Sequence, residues 1–150
     1  MMNRHHFHLK ADWNGGRNSE GVISAGNLNT KISIPKEMGG PGVGTNPDEM
    51  LIGAAATCYL ITLAAMLERK QIPVEKLSLE TEGVVSENRG RLQFESVTHR
   101  PHVVLGAGVT PEQVKEAEAF TEKAEQSCMI SNALRGNVEL AVHAEVITAG

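Results

Sequence analysis

Residues 46–73, NPDEMLIGAAATCYLITLAAMLERKQIP, decide the fold of this chain. Asn46 can cap a helix, Pro47 suits its first position, and Glu49 stands three residues after the cap, which completes a capping box. Pro73 cannot continue the helix, so it is expected to run from Pro47 to about Lys70. From Leu51 to Leu67 every residue is apolar, a glycine, a threonine or a cysteine, so no face suits water. A helix that is apolar all round must be buried on every side. A chain of 150 residues has little material left to wrap it, and a partner chain is the simplest source of cover.

Before this helix, His6 to Trp13 alternates as a half-buried strand, with Phe7, Leu9, Ala11 and Trp13 on one face. After the break NGGRNSEG, Val22–Ala25 and Leu28–Ile34 read as two strands joined by a tight turn at Gly26-Asn27. The run MGGPGVGTNP then forms a loop shaped by glycine and proline. After the helix, Glu75–Glu87 and Arg91–Leu105 read as a hairpin turned at Asn88-Arg89-Gly90, with Leu77, Leu79, Leu92 and Phe94 facing inward. Thr110, Pro111 and Gln113 repeat the cap, proline and box. Val114, Ala117, Phe120 and Ala124 mark a one-sided helix, which a short piece from Ser127 to Leu134 continues until Gly136. Val138, Leu140, Val142, Ala144 and Val146 give one last strand. This order is α+β in a single domain over residues 1–150, and it lacks the βαβ rhythm and glycine pattern of a nucleotide fold.

Lys plus Arg is 14 against 18 for Asp plus Glu, and aromatic residues are 3%. Neither the electrostatic footprint of a nucleic-acid binder nor a stacking platform for single strands is present. No run reaches 18 consecutive apolar residues and the first residues do not read as a secretory leader, so no membrane association is expected and the cytoplasm is the expected compartment. In that reducing setting Cys58 and Cys128 are a redox-active pair or simply buried thiols rather than a structural staple. Two cysteines are too few for a thiolate metal site.

Cys58 lies within the apolar helix, and Cys128 is in phase with Ala117 and Ala124, so both point inward and can meet. Arg17 follows two glycines, where a guanidinium can either be solvated or pair with a carboxylate and lower a cysteine pKa. Asp48 and Glu49 also have a plain reading as charges favoured at a helix start, and Arg135 one as a charge that complements a helix end.

WNGGRN, PKEMGGPGVGTNPDEMLIGAAATCY from Pro35, and EKAEQSCMISNALRGNVEL around Cys128 together resemble the OsmC/Ohr family of thiol peroxidases, on the organic hydroperoxide resistance branch. The resemblance covers nearly the whole chain. It implies an intertwined dimer of strongly bent antiparallel sheets packed on long buried central helices. It also implies reduction of organic hydroperoxides, including fatty-acid ones, with a lipoylated protein or another dithiol such as dihydrolipoamide as reductant and no metal or organic cofactor. By motif, Cys58 is the peroxidatic and Cys128 the resolving cysteine, Arg17 is the arginine, and Asp48 holds the place of the family glutamate, with Glu49 one residue later. Two extra residues follow Arg17, Met129 stands where a proline is common, and His99, Arg100 and His102 add a basic patch.

Two rival readings stand beside the peroxidase. One is a stress-associated or binding member with weak or no activity. The other is acyl-thiol transfer or hydrolysis, which wants a histidine base, and no histidine lies in the segments around Cys58, Cys128 or Arg17.

Overall fold

Thr110 accepts a hydrogen bond from the Gln113 N–H at 3.1 Å while the Gln113 side chain accepts from the Thr110 N–H at 2.9 Å, so the second capping box forms in full. This geometry comes from a computed structural model that describes residues 2–150. The box opens a helix over Pro111–Ser127. The first box forms only by half. Asn46 Oδ1 accepts from the Glu49 N–H at 2.9 Å, but the Glu49 carboxylate accepts from the Thr45 hydroxyl at 2.8 Å instead of reaching back to the cap.

In chain order the elements are β1 (Lys10–Trp13), β2 (Gly21–Ala25), β3 (Leu28–Ile32), α1 (Pro47–Arg69), β4 (Val74–Asn88), β5 (Arg91–Leu105), α2 (Pro111–Ser127), α3 (Met129–Leu134), β6 (Glu139–Val142) and β7 (Glu145–Thr148). They fall into two compact units, one ending at Met50 and the other running from Leu51 to Gly150.

In the first unit β1, β2 and β3 form an antiparallel sheet in that order. The expected half-buried strand from His6 shortens to Lys10–Trp13, and all four of its residues are exposed. Alternation alone predicted burial, but within this chain Phe7 and Leu9 are exposed. The glycine-rich loop is pinned by Ser33, whose hydroxyl donates to the Val43 carbonyl at 2.8 Å and accepts from the Val43 N–H at 2.7 Å. Gly44 sits at φ +68°, where a side chain would collide with the Lys31 backbone, so this turn requires glycine.

In the second unit β4 and β5 form the long hairpin, with Arg89 and Gly90 at positive φ in its turn. β6 and β7 both pair with β5, and both run parallel to it. The sheet is therefore mixed, and the expected antiparallel arrangement is corrected. The single last strand that alternation predicted is also split in two. Pro101 stands where Ala144 would pair, between His99↔Val142 and His102↔Glu145. Proline has no N–H to give to a ladder, so pairing breaks there.

The expectation of strongly bent sheets around long, fully buried helices is not met. Neither sheet is strongly bent. Within α1 only Ala55, Tyr59, Leu63 and Leu67 are buried, one stripe at i, i+4 spacing. Tyr59, Leu63 and Leu67 pack with Ile72, Val103, Leu105, Ala117, Phe120 and Ala124, and Ala55 packs with Val97 and Val138. The opposite stripe, Gly53, Ala54, Thr57, Ile61, Ala64 and Ala65, is exposed. By length and composition α1 is also apolar enough to cross a bilayer, which a count of consecutive apolar residues did not show. Leu77, Leu79 and Phe94 pack against the core as expected, whereas Leu92 is exposed.

Candidate active site

Cys58 reaches its place on α1 one residue before Tyr59, which is tied to two other elements. The Tyr59 hydroxyl donates to the Thr121 carbonyl of α2 at 2.7 Å, and its ring stacks on His99 of β5 with centroids 4.6 Å apart. Cys128 reaches its place because α2 stops there. It adopts an extended backbone (φ −72°, ψ 122°), ending α2 and serving as the N-cap of α3. Its Sγ accepts from the Ser131 N–H at 3.4 Å. No cap signal of the usual Ser, Thr, Asp or Asn kind marks this start, so the sequence reading ran α3 on from Ser127.

The two thiols come within hydrogen-bonding reach of each other, and both are reduced. Their surroundings differ. Cys128 is completely buried while Cys58 is half-buried. Burial and the hydrogen bond to Cys128 push the Cys58 thiol up, against weaker donation from the Ile130 N–H and Thr62. Burial also pushes Cys128 up, but hydrogen bonds from Cys58, from Ser131 and from the Ile130 N–H outweigh it and leave that thiol below its ordinary value. Among the described residues, none of the groups acting on Cys58 is a cation.

Arg17 and Asp48 lie in the first unit and do not meet there. The exposed Arg17 guanidinium donates to Asn18 Oδ1 at 2.8 Å and to the Met38 carbonyl at 3.4 Å, and among the described residues Asp48 has no ion pair. Glu49 is occupied with Thr45.

The expected basic patch on β5 does not form. His99 is fully buried, Arg100 pairs with Glu82 at 3.3 Å, and His102 pairs with Glu145. Strand register thus brings a histidine against the residue next to Cys58, a juxtaposition that the local sequence could not show. His99 Nδ1 is hydrogen-bonded to the Thr81 hydroxyl at 2.9 Å, and burial pushes its pKa down, partly opposed by the charge of Glu125. Glu125 lies on α2, among its many acidic residues. It is buried and its carboxylate pairs with Arg135 at 2.8 Å. Among the described residues no three His, Cys, Asp or Glu side chains gather as metal ligands.

The family described as OsmC-like protein matches residues 39–143. The chain is 55% identical over 149 residues to the uncharacterized protein YmaD of Bacillus subtilis, covering 99% of both chains. It is 32% identical over 127 residues to the organic hydroperoxide resistance protein of Xanthomonas axonopodis pv. citri, covering 84% of this chain and 85% of that one. The crystal structure of an organic hydroperoxide resistance protein from Legionella pneumophila superposes with a TM-score of 0.74 at 27% identity, covering 95% of this chain and 99% of that one.

Proposed function

Since the chain belongs to the OsmC/Ohr family of organic-hydroperoxide-resistance-like proteins, we propose that its thiol pair reduces organic hydroperoxides, fatty-acid ones included, to alcohols. One observation carries this reading. A half-buried thiol stands in hydrogen-bond contact with a fully buried one. The Cys58 thiolate attacks the terminal peroxide oxygen, the O–O bond breaks, and the alkoxide takes up a proton and leaves as alcohol. Cys58 is left as sulfenic acid. Cys128 then attacks the Cys58 sulfur, an S–S bond forms, and hydroxide leaves with a proton as water. A dithiol of the dihydrolipoamide kind, free or carried on a lipoylated protein, reduces the disulfide by two exchanges.

Attack requires Cys58 to lose its proton, and burial opposes that. By motif match we assign the missing cation to Arg17 and its orientation to Asp48. Dimerisation through the exposed stripe of α1 and a reducing, cytoplasmic setting complete the proposal. A second reading, a stress-associated or binding protein with weak or no peroxidase activity, is favoured by the raised Cys58 pKa and by Arg17 resting on Asn18 and Met38.

Stopped-flow mixing of the reduced protein with hydrogen peroxide, tert-butyl hydroperoxide and a fatty-acid hydroperoxide separates the readings. Rapid oxidation by the organic peroxides, with a mass loss of two hydrogens, supports the peroxidase. Slow reaction with all three supports the alternative. In the same assay Arg17→Ala should raise the Cys58 alkylation pKa by roughly 1–3 units and slow oxidation near pH 7 accordingly. Unchanged profiles would remove Arg17 from the mechanism.

A further inference from the structure

Arg135 follows α3 directly and folds back on the last turn of α2. Its Nη2 lies 2.8 Å from the Glu125 carboxylate and donates to the Glu125 carbonyl at 3.2 Å. The same guanidinium donates to Asn132 Oδ1, from Nε at 3.3 Å and from Nη2 at 3.2 Å. Glu125 is three residues before Cys128 and Arg135 seven after it, so the pair closes a bracket around that cysteine. Inside the bracket the backbone of Cys128 is extended, held locally by the start of α3 and by hydrogen bonds to its sulfur from Ser131 and the Ile130 N–H. The Glu125 side chain is 9% exposed, so water screens the pair weakly on that side. Tyr59 ties α1 to α2 at Thr121, one turn before Glu125, which fixes Cys58 relative to the α2 end of the bracket.

We propose that the Glu125–Arg135 pair is a clamp that holds Cys128 against Cys58, so that it governs resolution of the oxidised cysteine rather than attack on peroxide. Both are positioning residues, since neither touches the reacting sulfurs. The inference rests on the thiol-peroxidase reading for its role in turnover, but the clamp itself acts on the geometry of two thiols. Loss of the clamp leaves the α2–α3 junction free to swing, and a sulfur displaced by about 1 Å can lose up to a hundredfold in reactivity toward its partner.

The test uses the full chain with Arg135→Lys, Arg135→Ala and Glu125→Gln. Equilibration with reduced and oxidised glutathione gives the effective concentration of one thiol toward the other without any peroxide. In Arg135→Ala and Glu125→Gln it should fall about tenfold or more. Arg135→Lys should recover part of this, because an ammonium can reach the carboxylate but cannot also span the carbonyl and Asn132. In peroxide mixing with dimedone present, the first oxidation of Cys58 should stay within about twofold of wild type while the trapped sulfenic acid fraction rises. An unchanged glutathione equilibrium in folded variants would overturn the clamp, as would equal slowing of attack and resolution. Loss of fold in Arg135→Lys would overturn it too, since a clamp confined to Cys128 leaves the rest of the unit standing. A wild type inert to every peroxide would sink the peroxidase reading while the glutathione equilibrium still decides the clamp.

Discussion

Joining Cys58 to Cys128 closes a loop of about 70 residues, and a cross-link of that span removes chain entropy worth about 4 kcal/mol from the unfolded state. The folded state sets how much of that is realised. The thiols start in hydrogen-bond contact, so bonding requires only that the sulfurs close to about 2.05 Å, by adjustment of the extended backbone at Cys128 and of one turn of α1. Oxidised protein should therefore be more stable than reduced protein by roughly 2–4 kcal/mol, the upper end applying if little strain is incurred. The assay is urea unfolding of the wild type under reductant and after one equivalent of organic hydroperoxide, at equal protein concentration, with the disulfide verified by intact mass. Cys128→Ser should show no such gain after the same treatment. An oxidised wild type that carries the disulfide yet unfolds at the same or a lower urea concentration would refute the reasoning. It would mean that the two sulfurs are held apart by a structure that must be distorted to join them.

Tyr59→Phe deletes the buried 2.7 Å bond to the Thr121 carbonyl and should cost about 1 kcal/mol, whereas Tyr59→Ala, which also removes the stack on His99, should cost about 3–5 kcal/mol. Equal unfolding midpoints for wild type and Tyr59→Phe would show that this strut carries no load. His99 has its folded pKa lowered by burial, with Glu125 partly opposing, and faces Tyr59 from α1, Thr81 from β4 and Glu125 from α2. Its contribution is thus fully present above the unfolded value near 6.5 and is lost as pH falls, at up to about 1.4 kcal/mol per pH unit. Urea midpoints between pH 7.5 and pH 5 should fall more steeply in wild type than in His99→Gln, and parallel slopes would contradict this.

What the sequence disclosed follows the range of the interactions involved. The Thr110–Gln113 box, the Asn46 cap, the Asn88-Arg89-Gly90 turn and the apolar stripe of α2 at spacings of three and four are local signals, and each names an element that forms. The meeting of Cys58 and Cys128 was a chance left open by phase, because it depends on where α2 crosses α1. Tyr59–Thr121, which settles that crossing, joins residues 62 apart in the chain and leaves no periodic trace. Glu125 and Arg135 each look like an ordinary helix charge, since nothing at a spacing of ten residues signals a pair. Alternation misled where it was not checked against partners. It gave β1 a buried face, although all four of its residues are exposed within this chain, and it carried one strand across the position opposite Pro101, which interrupts the ladder. The all-apolar run of α1 was read as complete burial, although within this chain only one stripe of it is covered.

The central place of β5 also has a consequence for how the chain is made. β4 and β5 are joined by a tight turn and can zip together as soon as both exist, but the strands on the other side of β5 end some 43 residues later, at Thr148. At a synthesis rate of about 5–20 residues per second, the far edge of β5 stays unpaired for roughly 2–9 seconds on each new chain. An open edge of Val97, Val103 and Val104 is a template for another strand. Glu95, Arg100, Pro101 and His102 interrupt it along its length, and such residues discourage pairing with a neighbour while the rightful partners are still being made.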